Sequence, residues 1–384
     1  MQLGRHFFAR QISSLHRIQI LVPPNATLQA LNHHPDGAVK RQAEEWLKTF
    51  QESAHAWMVC DALLHDPLST QEVHFLCSQT LKHKVQRDFD DLPAGAAGSL
   101  RDSLITLLLK FDEGPVRTQL ALAVASLAAH LPSVEWGGVG ALHWLATRLT
   151  ANGAGSTALP CLLELLTIFP QEAGSYRPAL RPDRRRAFAK ELILESKAAI
   201  SFISSCEQHM PNTTRNKRER VLDAYAAWVP LSQGRLGAED SVVELPQIDP
   251  ATFASHPLTG LAIESLRLYE TNEVEFDHAV DVVCELVRVT VPCDSLVSVD
   301  DIGGIPPTSM PLVQLLVPCV MGLRPALATA ASSEGVDDDV AKGIARLFAE
   351  VGEAYISLIT TVRNHFGEIK HATFSSPSIF NIGF

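Results

Sequence analysis

Apolar residues recur along this chain with the period of an α-helix, and no segment keeps the alternation of a β-strand. The clearest stretch contains Val116, Leu120, Val124, Leu127 and Leu131, in which successive apolar residues are four, four, three and four positions apart. This spacing places all of them on one face of a helix, and such a face has to be buried against another element. The pattern therefore predicts an all-α protein whose helices pack through apolar stripes.

These amphipathic helices are short, and brief turns separate them into pairs. Pro35-Asp36-Gly37 divides the first pair, Asp66-Pro67 divides the second, and Gly114-Pro115 divides the third. Pairs recur roughly every 35 to 50 residues, and neither helix of a pair can bury its stripe alone. The sequence therefore predicts an all-α solenoid of HEAT-like or armadillo-like helical repeats.

Composition agrees with helices packed on helices and limits the partners. Hydrophobic residues make up 46% of the chain, only 7% is aromatic, and the formal net charge is −11. A negative protein repels a phosphate backbone, so we expect no direct contact with nucleic acid and consider a basic protein a more natural partner. No continuous apolar run reaches the roughly 20 residues that span a bilayer, so we expect a soluble protein and no membrane partner.

The sequence offers no recognisable catalytic or metal site. Seven cysteines are scattered singly without a CxxC pair, and the fifteen histidines include no HExxH motif. Gly137-Gly138-Val139-Gly140 follows no strand and is not completed by a Lys-Ser/Thr pair, so an ordinary loop is the better interpretation. We expect no enzyme activity, no cofactor and no metal, and cysteines that are reduced and partly buried.

Three local features carry structural expectations. Ser99 precedes an apolar stripe and is expected to cap its helix. The run Asp337-Asp338-Asp339 is expected to cap a later helix, or alternatively to hold a basic cargo. The run Arg184-Arg185-Arg186 is expected to form a solvated face, with contact to an acidic partner as the alternative.

The helix predicted between Thr70 and Phe89 carries a second face besides its core stripe. This face is either exposed to solvent or lines the concave side of the solenoid, where repeat proteins usually bind partners. Its candidate partner-binding residues are Phe75, Gln79, Lys82 and Gln86, with Lys84 beside them.

Several segments, in their order and spacing, resemble the N-terminal region of the transportin-SR group of importin-β nuclear import receptors. The resemblance extends over roughly Ala26 to Thr360. The segments that carry it are His55–Trp57, Ser78–Lys82, Ser99–Leu104, Thr118–Ala123, Leu163–Thr167 and Arg346–Glu350.

This resemblance implies a right-handed HEAT superhelix whose first repeats bind the GTP form of Ran on their inner face. If the second face of the helix between Thr70 and Phe89 lies on that inner side, Phe75, Gln79, Lys82, Lys84 and Gln86 are the candidate Ran contacts. The resemblance also implies Ser/Arg-rich splicing factors as cargo, nucleoporins as further partners, and shuttling between nucleus and cytoplasm. Members of the group are more than twice as long, and their cargo-reading basic helix lies in a part of the receptor that this chain lacks. The alternative is a HEAT/armadillo-type scaffold that does not bind Ran.

The expected organisation has four parts. Residues 1–23 form a disordered extension or an artefact of gene prediction; their arginines and lack of acid leave an organellar transit peptide as the alternative. Residues 24–132 form the N-terminal importin-β-type repeats, and residues 133–360 form further HEAT repeats. Residues 361–384 form a divergent, unstructured tail, as expected of a truncated isoform or of a truncated gene prediction.

Overall fold

The computed structural model describes residues 24–93, 95–150, 158–175, 180–212, 214, 216–234, 247–291, 307–332 and 338–366. Within these ranges the chain forms helices and short turns, and no strand occurs. The chain divides into two compact units, residues 1–247 and 248–384, which are described separately. The prediction of an all-α helical-repeat fold is confirmed.

The described part of the first unit contains ten α-helices. They are α1 Pro24–His33, α2 Gly37–Glu52, α3 Ala56–His65, α4 Gln71–Arg87, α5 Ala97–Lys110, α6 Pro115–His130, α7 Ala141–Thr150, α8 Ala158–Gly174, α9 Pro182–His209 and α10 Lys217–Ser232.

Successive helices in this unit pack as pairs, and the pairs stack in two layers. Each of α1, α3, α5, α7 and α9 packs against the helix that follows it. The second helices form a continuous layer, because α4 packs on α6, α6 on α8, and α8 on α10. This is the arrangement of HEAT-type repeats, in which each pair buries its apolar faces against its neighbours.

Helix α6 lies at the centre of this layer. Its predicted stripe is buried, with Leu120 and Leu127 fully inaccessible to solvent, and the facing stripe of α5 is buried as well. The pattern underestimates how far α6 is enclosed, since α4, α5, α8 and α9 all pack on it. Small residues on its other faces permit this close approach; the buried ones are Ala121, Ala123, Ala125, Ser126, Ala128 and Ala129.

The start of α5 differs from the prediction. Ser99 is the third residue of the helix rather than its cap, and Ala96 occupies the capping position without a side-chain bond. The helix begins earlier because Ala97 and Gly98 continue the turn, so the position of a serine before an apolar stripe is a weak guide to the first residue.

The second unit contains six described α-helices. They are α11 Pro250–Ala254, α12 Pro257–Ser265, α13 Glu273–Val289, α14 Met310–Met321, α15 Arg324–Ser332 and α16 Asp338–Phe366. Helix α13 packs on α12 and α16, and α14 packs on α11, α13 and α16. The stretch Met310–Ala328 is long and apolar enough to cross a membrane by length and composition alone. Its residues Leu312, Leu316 and Val320 are fully buried inside this unit, whereas 28% of the apolar window as a whole is buried.

Several expectations about the termini fall at the edge of the described structure. The extension at residues 1–23 and the tail from residue 367 onward lie outside the described residues. Helix α16 continues to Phe366, so residues 361–366, expected in the unstructured tail, are helical. Within the predicted acidic cap, Asp338 is the first residue of α16 and Asp339 bonds Lys342 at 2.8 Å.

Candidate partner interface

Helix α4 presents the candidate interface, and its own sequence fixes its orientation. The Thr70 hydroxyl caps its start by accepting a bond from the Val73 backbone N–H at 3.4 Å. Val73, Cys77 and Leu81 lie one turn apart and are buried, with at most 1% of their surface exposed. This seam packs α4 against α3 and α6 and turns the opposite side of its first two turns outward.

Three of the five candidate residues lie on that outer side. Phe75 is 36% exposed, which is high for a large apolar side chain in a folded unit. Gln79 and Lys82, one and two turns further along, are partly exposed. Together they form the α4 outer face, an aromatic ring followed by an amide and a cation that a partner protein can contact.

Lys84 does not belong to that face, so the expectation that it is available to a partner is wrong. Its side chain is only 3% exposed, and its ammonium donates to Asp88 Oδ2 at 2.9 Å and to the Gln51 carbonyl at 3.3 Å. The same ammonium lies 5.4 Å from the centroid of the Trp57 ring. A buried ammonium requires such partners, so Lys84 holds α2, α3 and the end of α4 together.

Gln86 is also buried, and its predicted role as a partner contact is likewise wrong. Its Nε2 donates to Ser126 Oγ on α6 at 3.1 Å, and Ser126 Oγ in turn donates to Glu172 Oε1 on α8 at 3.0 Å. All three side chains are at most 8% exposed. This buried chain of polar groups, the second-helix ladder, connects three consecutive helices of one layer.

A second set of polar contacts joins α6, α8 and α10 nearer their first turns. Arg117 Nε donates to Glu164 Oε2 at 2.8 Å, and Thr118 donates to Glu164 Oε1 at 2.7 Å. Arg220 lies 3.8 Å from the same carboxylate and 3.2 Å from Glu113. Opposite charges are thus paired in a largely buried position, with Arg117 and Glu164 only 3% and 13% exposed, which fixes the register between the three helices.

The run of arginines at the start of α9 also differs from its prediction as a solvated face. Arg184 is half-buried, and its guanidinium donates to the carbonyls of Ala128 and Leu131 at 3.1 and 2.6 Å and to Glu191 at 2.8 Å. It therefore satisfies two carbonyls at the end of α6. Arg186 remains exposed.

One cluster contains the residue types of a catalytic triad without its geometry. Ser103 Oγ lies 3.0 Å from His65 Nε2, and the same hydroxyl donates to the Asp61 carboxylate. In a triad the acid orients the imidazole from the nitrogen opposite the nucleophile. Here Asp61 bonds the serine, and its oxygen lies 3.8 Å from the imidazole nitrogen that already faces the hydroxyl. The arrangement links α3 to α5 and leaves no activated nucleophile.

Five of the six described cysteines are buried core residues, and Cys319 is partly exposed. Burial raises the pKa of the Cys161 thiol to about 11 and that of Cys206 to about 12. Such thiols stay protonated at neutral pH and are poor nucleophiles and metal ligands. Over the described residues, no three His, Cys, Asp or Glu side chains cluster as metal ligands do.

Sequence reasoning missed the residues that join neighbouring repeats. Arg117 directly follows an apolar stripe residue, and Glu164 and Glu172 interrupt or follow a run of leucines. A charge inside an apolar helical run is a signal for a buried ion pair, because burying it alone is costly. The signal does not identify the partner, which lies 46 or 47 residues away in two of these pairs.

Comparison with known proteins places this layer in a family. Residues 43–110, which include α3, α4 and α5, match the Importin-beta N-terminal domain family. Residues 113–283 match the Exportin 1-like protein family. The two matches are adjacent and together extend from α2 into α13.

Full-length relatives give the same assignment. Transportin MOS14 of Arabidopsis thaliana is 40% identical over 353 residues, which is 91% of this chain and 33% of the relative. The mRNA transport regulator MTR10 of Saccharomyces cerevisiae is 26% identical over 344 residues, 87% of this chain and 32% of the relative. Importin-13 of Homo sapiens is 28% identical over 208 residues, 53% of this chain and 21% of the relative.

The chain thus spans about a third of the length of the first two relatives. The layered helix pairs, the two family matches and the transportin relative agree with one another. The resemblance expected from the sequence is confirmed, and the chain belongs to the importin-β superfamily of nuclear transport receptors.

Proposed function

We propose that this chain is part of a nuclear transport receptor that binds Ran in its GTP form through its first helix pairs. The observation that carries the proposal is the match of residues 43–110 to the Importin-beta N-terminal domain family. The relatives at 40% and 26% identity are named a transportin and an mRNA transport regulator, which supports the same role. On this proposal the protein shuttles between nucleus and cytoplasm.

The surface that we assign to Ran is the α4 outer face, formed by Phe75, Gln79 and Lys82. It lies within the matched domain and offers an apolar ring beside polar groups, a composition common at the centre of protein interfaces. Lys84 and Gln86 contribute by holding α4 in place rather than by touching the partner.

A nucleotide-dependent binding measurement tests this proposal. Immobilised chain is titrated with Ran loaded with a non-hydrolysable GTP analogue and, separately, with GDP. We expect tighter binding of the GTP form. The double variant Phe75→Ala, Lys82→Glu should weaken that binding about ten-fold or more, since it removes an apolar anchor and reverses a charge at the contact.

The control variant is Lys48→Glu, which reverses an exposed charge on α2 while leaving the α4 outer face intact. It should bind Ran-GTP as the unaltered chain does, and circular dichroism should show that all variants keep their helices. Equal binding of both nucleotide forms, or none by a folded chain, would favour the alternative of a HEAT-type scaffold without Ran binding.

For cargo we propose recognition of Arg-rich protein segments by charge, in keeping with the Ser/Arg-rich cargo that the family resemblance implies. The net charge of −11 supports attraction of such segments. Contact with nucleoporins belongs to the same proposal. No catalytic step is assigned to the chain.

A further inference from the structure

The exposed side of α9 differs in charge from the rest of this acidic protein. Arg186, Lys190, Leu194, Lys197 and Ser201 are all exposed and follow one another at steps of four, four, three and four residues. That spacing places them along one face of the helix. Three of the five are cations, in a chain whose net charge is −11.

Two of the three cations on this face, Lys190 and Lys197, are not neutralised by the acidic residues of α9, whereas Arg186 pairs with Asp183 at 2.6 Å. Glu191 and Glu195 are the carboxylates between Lys190 and Lys197 along the helix. Glu191 bonds Arg184 at 2.8 Å, and Glu195 accepts the Leu142 and His143 backbone N–H groups at 3.4 and 3.3 Å. Neither Lys190 nor Lys197 forms an ion pair with any residue in the described part of the chain.

An apolar side chain stands between the two lysines. Leu194 is 54% exposed, although α9 has a complete buried seam without it. Val139 lies in the loop before α7 and is 53% exposed. The start of α7 is where Glu195 of α9 accepts a hydrogen bond from the backbone. An exposed leucine flanked by lysines one turn away on each side forms an amphipathic surface, which can bind a partner as well as face solvent.

We propose that this surface, the α9 outer face, binds an acidic segment of a partner protein that carries an apolar anchor between carboxylates. Such a segment would place its apolar residue on Leu194 and its carboxylates opposite Lys190 and Lys197. Charge complementarity favours such a partner, because the net charge of −11 repels an acidic segment on average whereas Lys190 and Lys197 attract it. The site is independent of Ran and of the α4 outer face.

The test uses a fluorescent, helix-forming peptide in which a stripe of leucines is flanked by glutamates. Anisotropy titration should show saturable binding to the full chain. Lys190→Glu combined with Lys197→Glu should weaken it about ten-fold or more, and Leu194→Asp should have a similar effect.

The matched control is Lys40→Glu combined with Lys48→Glu on α2, which changes the net charge by the same amount at a distant helix. This variant should bind the peptide as tightly as the unaltered chain does. A peptide of the same composition with its leucines scattered around the helix should bind about ten-fold more weakly or not at all, since it offers no anchor beside the carboxylates.

Three outcomes would overturn the proposal. The lysine reversal could leave the affinity unchanged in a folded variant. The scattered peptide could bind as tightly as the striped one, or the striped peptide could fail to bind the chain. Vesicles rich in phosphatidylserine and a short DNA duplex are measured alongside. Binding of either in place of the peptide would assign the lysines to a membrane or a nucleic acid and would reject a protein partner.

Discussion

At the scale of single residues, a side chain's neighbours decide its role more than its type. Lys82 and Lys84 are two positions apart in one helix, yet Lys82 is partly exposed and Lys84 is buried against Asp88 and Trp57. The sequence pattern assigned Lys82 to the polar face and Lys84 beside it, because helical periodicity gives the direction in which a side chain points around the helix axis. It does not show whether a neighbouring helix covers that side chain. The ring of Trp57 on α3 and the end of α2 cover the side chain of Lys84, whereas Lys82 remains partly exposed.

The two lysines should therefore respond differently to the same substitution. Lys84→Glu places a carboxylate beside Asp88 inside the fold and should lower the free energy of unfolding by roughly 3 to 5 kcal/mol. Lys82→Glu should change it by less than about 1 kcal/mol, as expected for a partly exposed position. Urea denaturation followed by circular dichroism measures both. Equal destabilisation by the two substitutions would contradict the assignment of Lys84 to the interior.

Glu195 supplies a second prediction at this scale, one that concerns pH. It approaches the start of α7 closely because Gly140, with φ of 89°, has no side chain there; a Cβ would lie 2.1 Å from Glu195 Oε1. Burial raises the pKa of Glu195 from 4.5 to about 7, although the two backbone N–H bonds oppose the shift. Glu191 nearby raises it further.

Between about pH 4.5 and 7 the folded chain therefore holds a proton on Glu195 that the unfolded chain has released. The free energy of unfolding should fall as pH rises through this window. Glu195→Gln keeps an oxygen acceptor without the charge. The decrease in the free energy of unfolding across this pH window should therefore be smaller in this variant, by roughly 1 to 3 kcal/mol. Thermal unfolding of both proteins across this pH range is the measurement. Parallel pH profiles would show that another group causes the dependence.

At the scale of elements, the sequence predicted the helices and their pairing well and the links between pairs poorly. The stripe from Val116 to Leu131 identified α6 and its seam with α5, because burial of an apolar face is a local property of the sequence. The ladder from Gln86 through Ser126 to Glu172 joins residues 40 and 46 positions apart. Helical periodicity carries no information about contacts between residues so far apart in the sequence. For this reason Lys84 and Gln86 were predicted to contact a partner, although both are buried.

The ladder should stabilise the packing of α4, α6 and α8 measurably. Ser126→Ala leaves Gln86 Nε2 without its acceptor and removes a donor from Glu172, and both groups are buried. The expected loss in free energy of unfolding is about 1 to 3 kcal/mol.

Ser204 on α9 provides a matched control for that substitution. Its hydroxyl is buried and makes no hydrogen bond within the described structure. Ser204→Ala removes the same atom without breaking a bond and should be close to neutral. Similar losses for the two variants in urea denaturation would mean that the hydroxyl's volume matters and the ladder's hydrogen bonds do not.

At the scale of the whole molecule, the net charge of −11 favours binding of cationic ligands and opposes binding of anionic ones. An Arg-rich peptide should bind weakly, and its affinity should fall between roughly 50 and 300 mM NaCl because exposed charges are screened. Phosphorylating the serines of such a peptide adds negative charge and should weaken binding further. Fluorescence anisotropy at the two salt concentrations tests both trends. Tight binding that requires phosphate would contradict this prediction and point to a built phosphate site.

The links between second helices also bear on where insertions can occur during evolution. The partners are separated by 40 residues from α4 to α6, by 46 from α6 to α8 and by 62 where Trp228 of α10 donates to the Leu166 carbonyl of α8. The layer itself keeps helices of 16 or 17 residues, whereas the intervening first helices vary from 10 residues in α7 to 28 in α9. Length differences among relatives should accumulate in the first helices and their loops. Helix α9, with its cationic side, is the segment where one lineage can gain a partner contact without disturbing the layer of second helices.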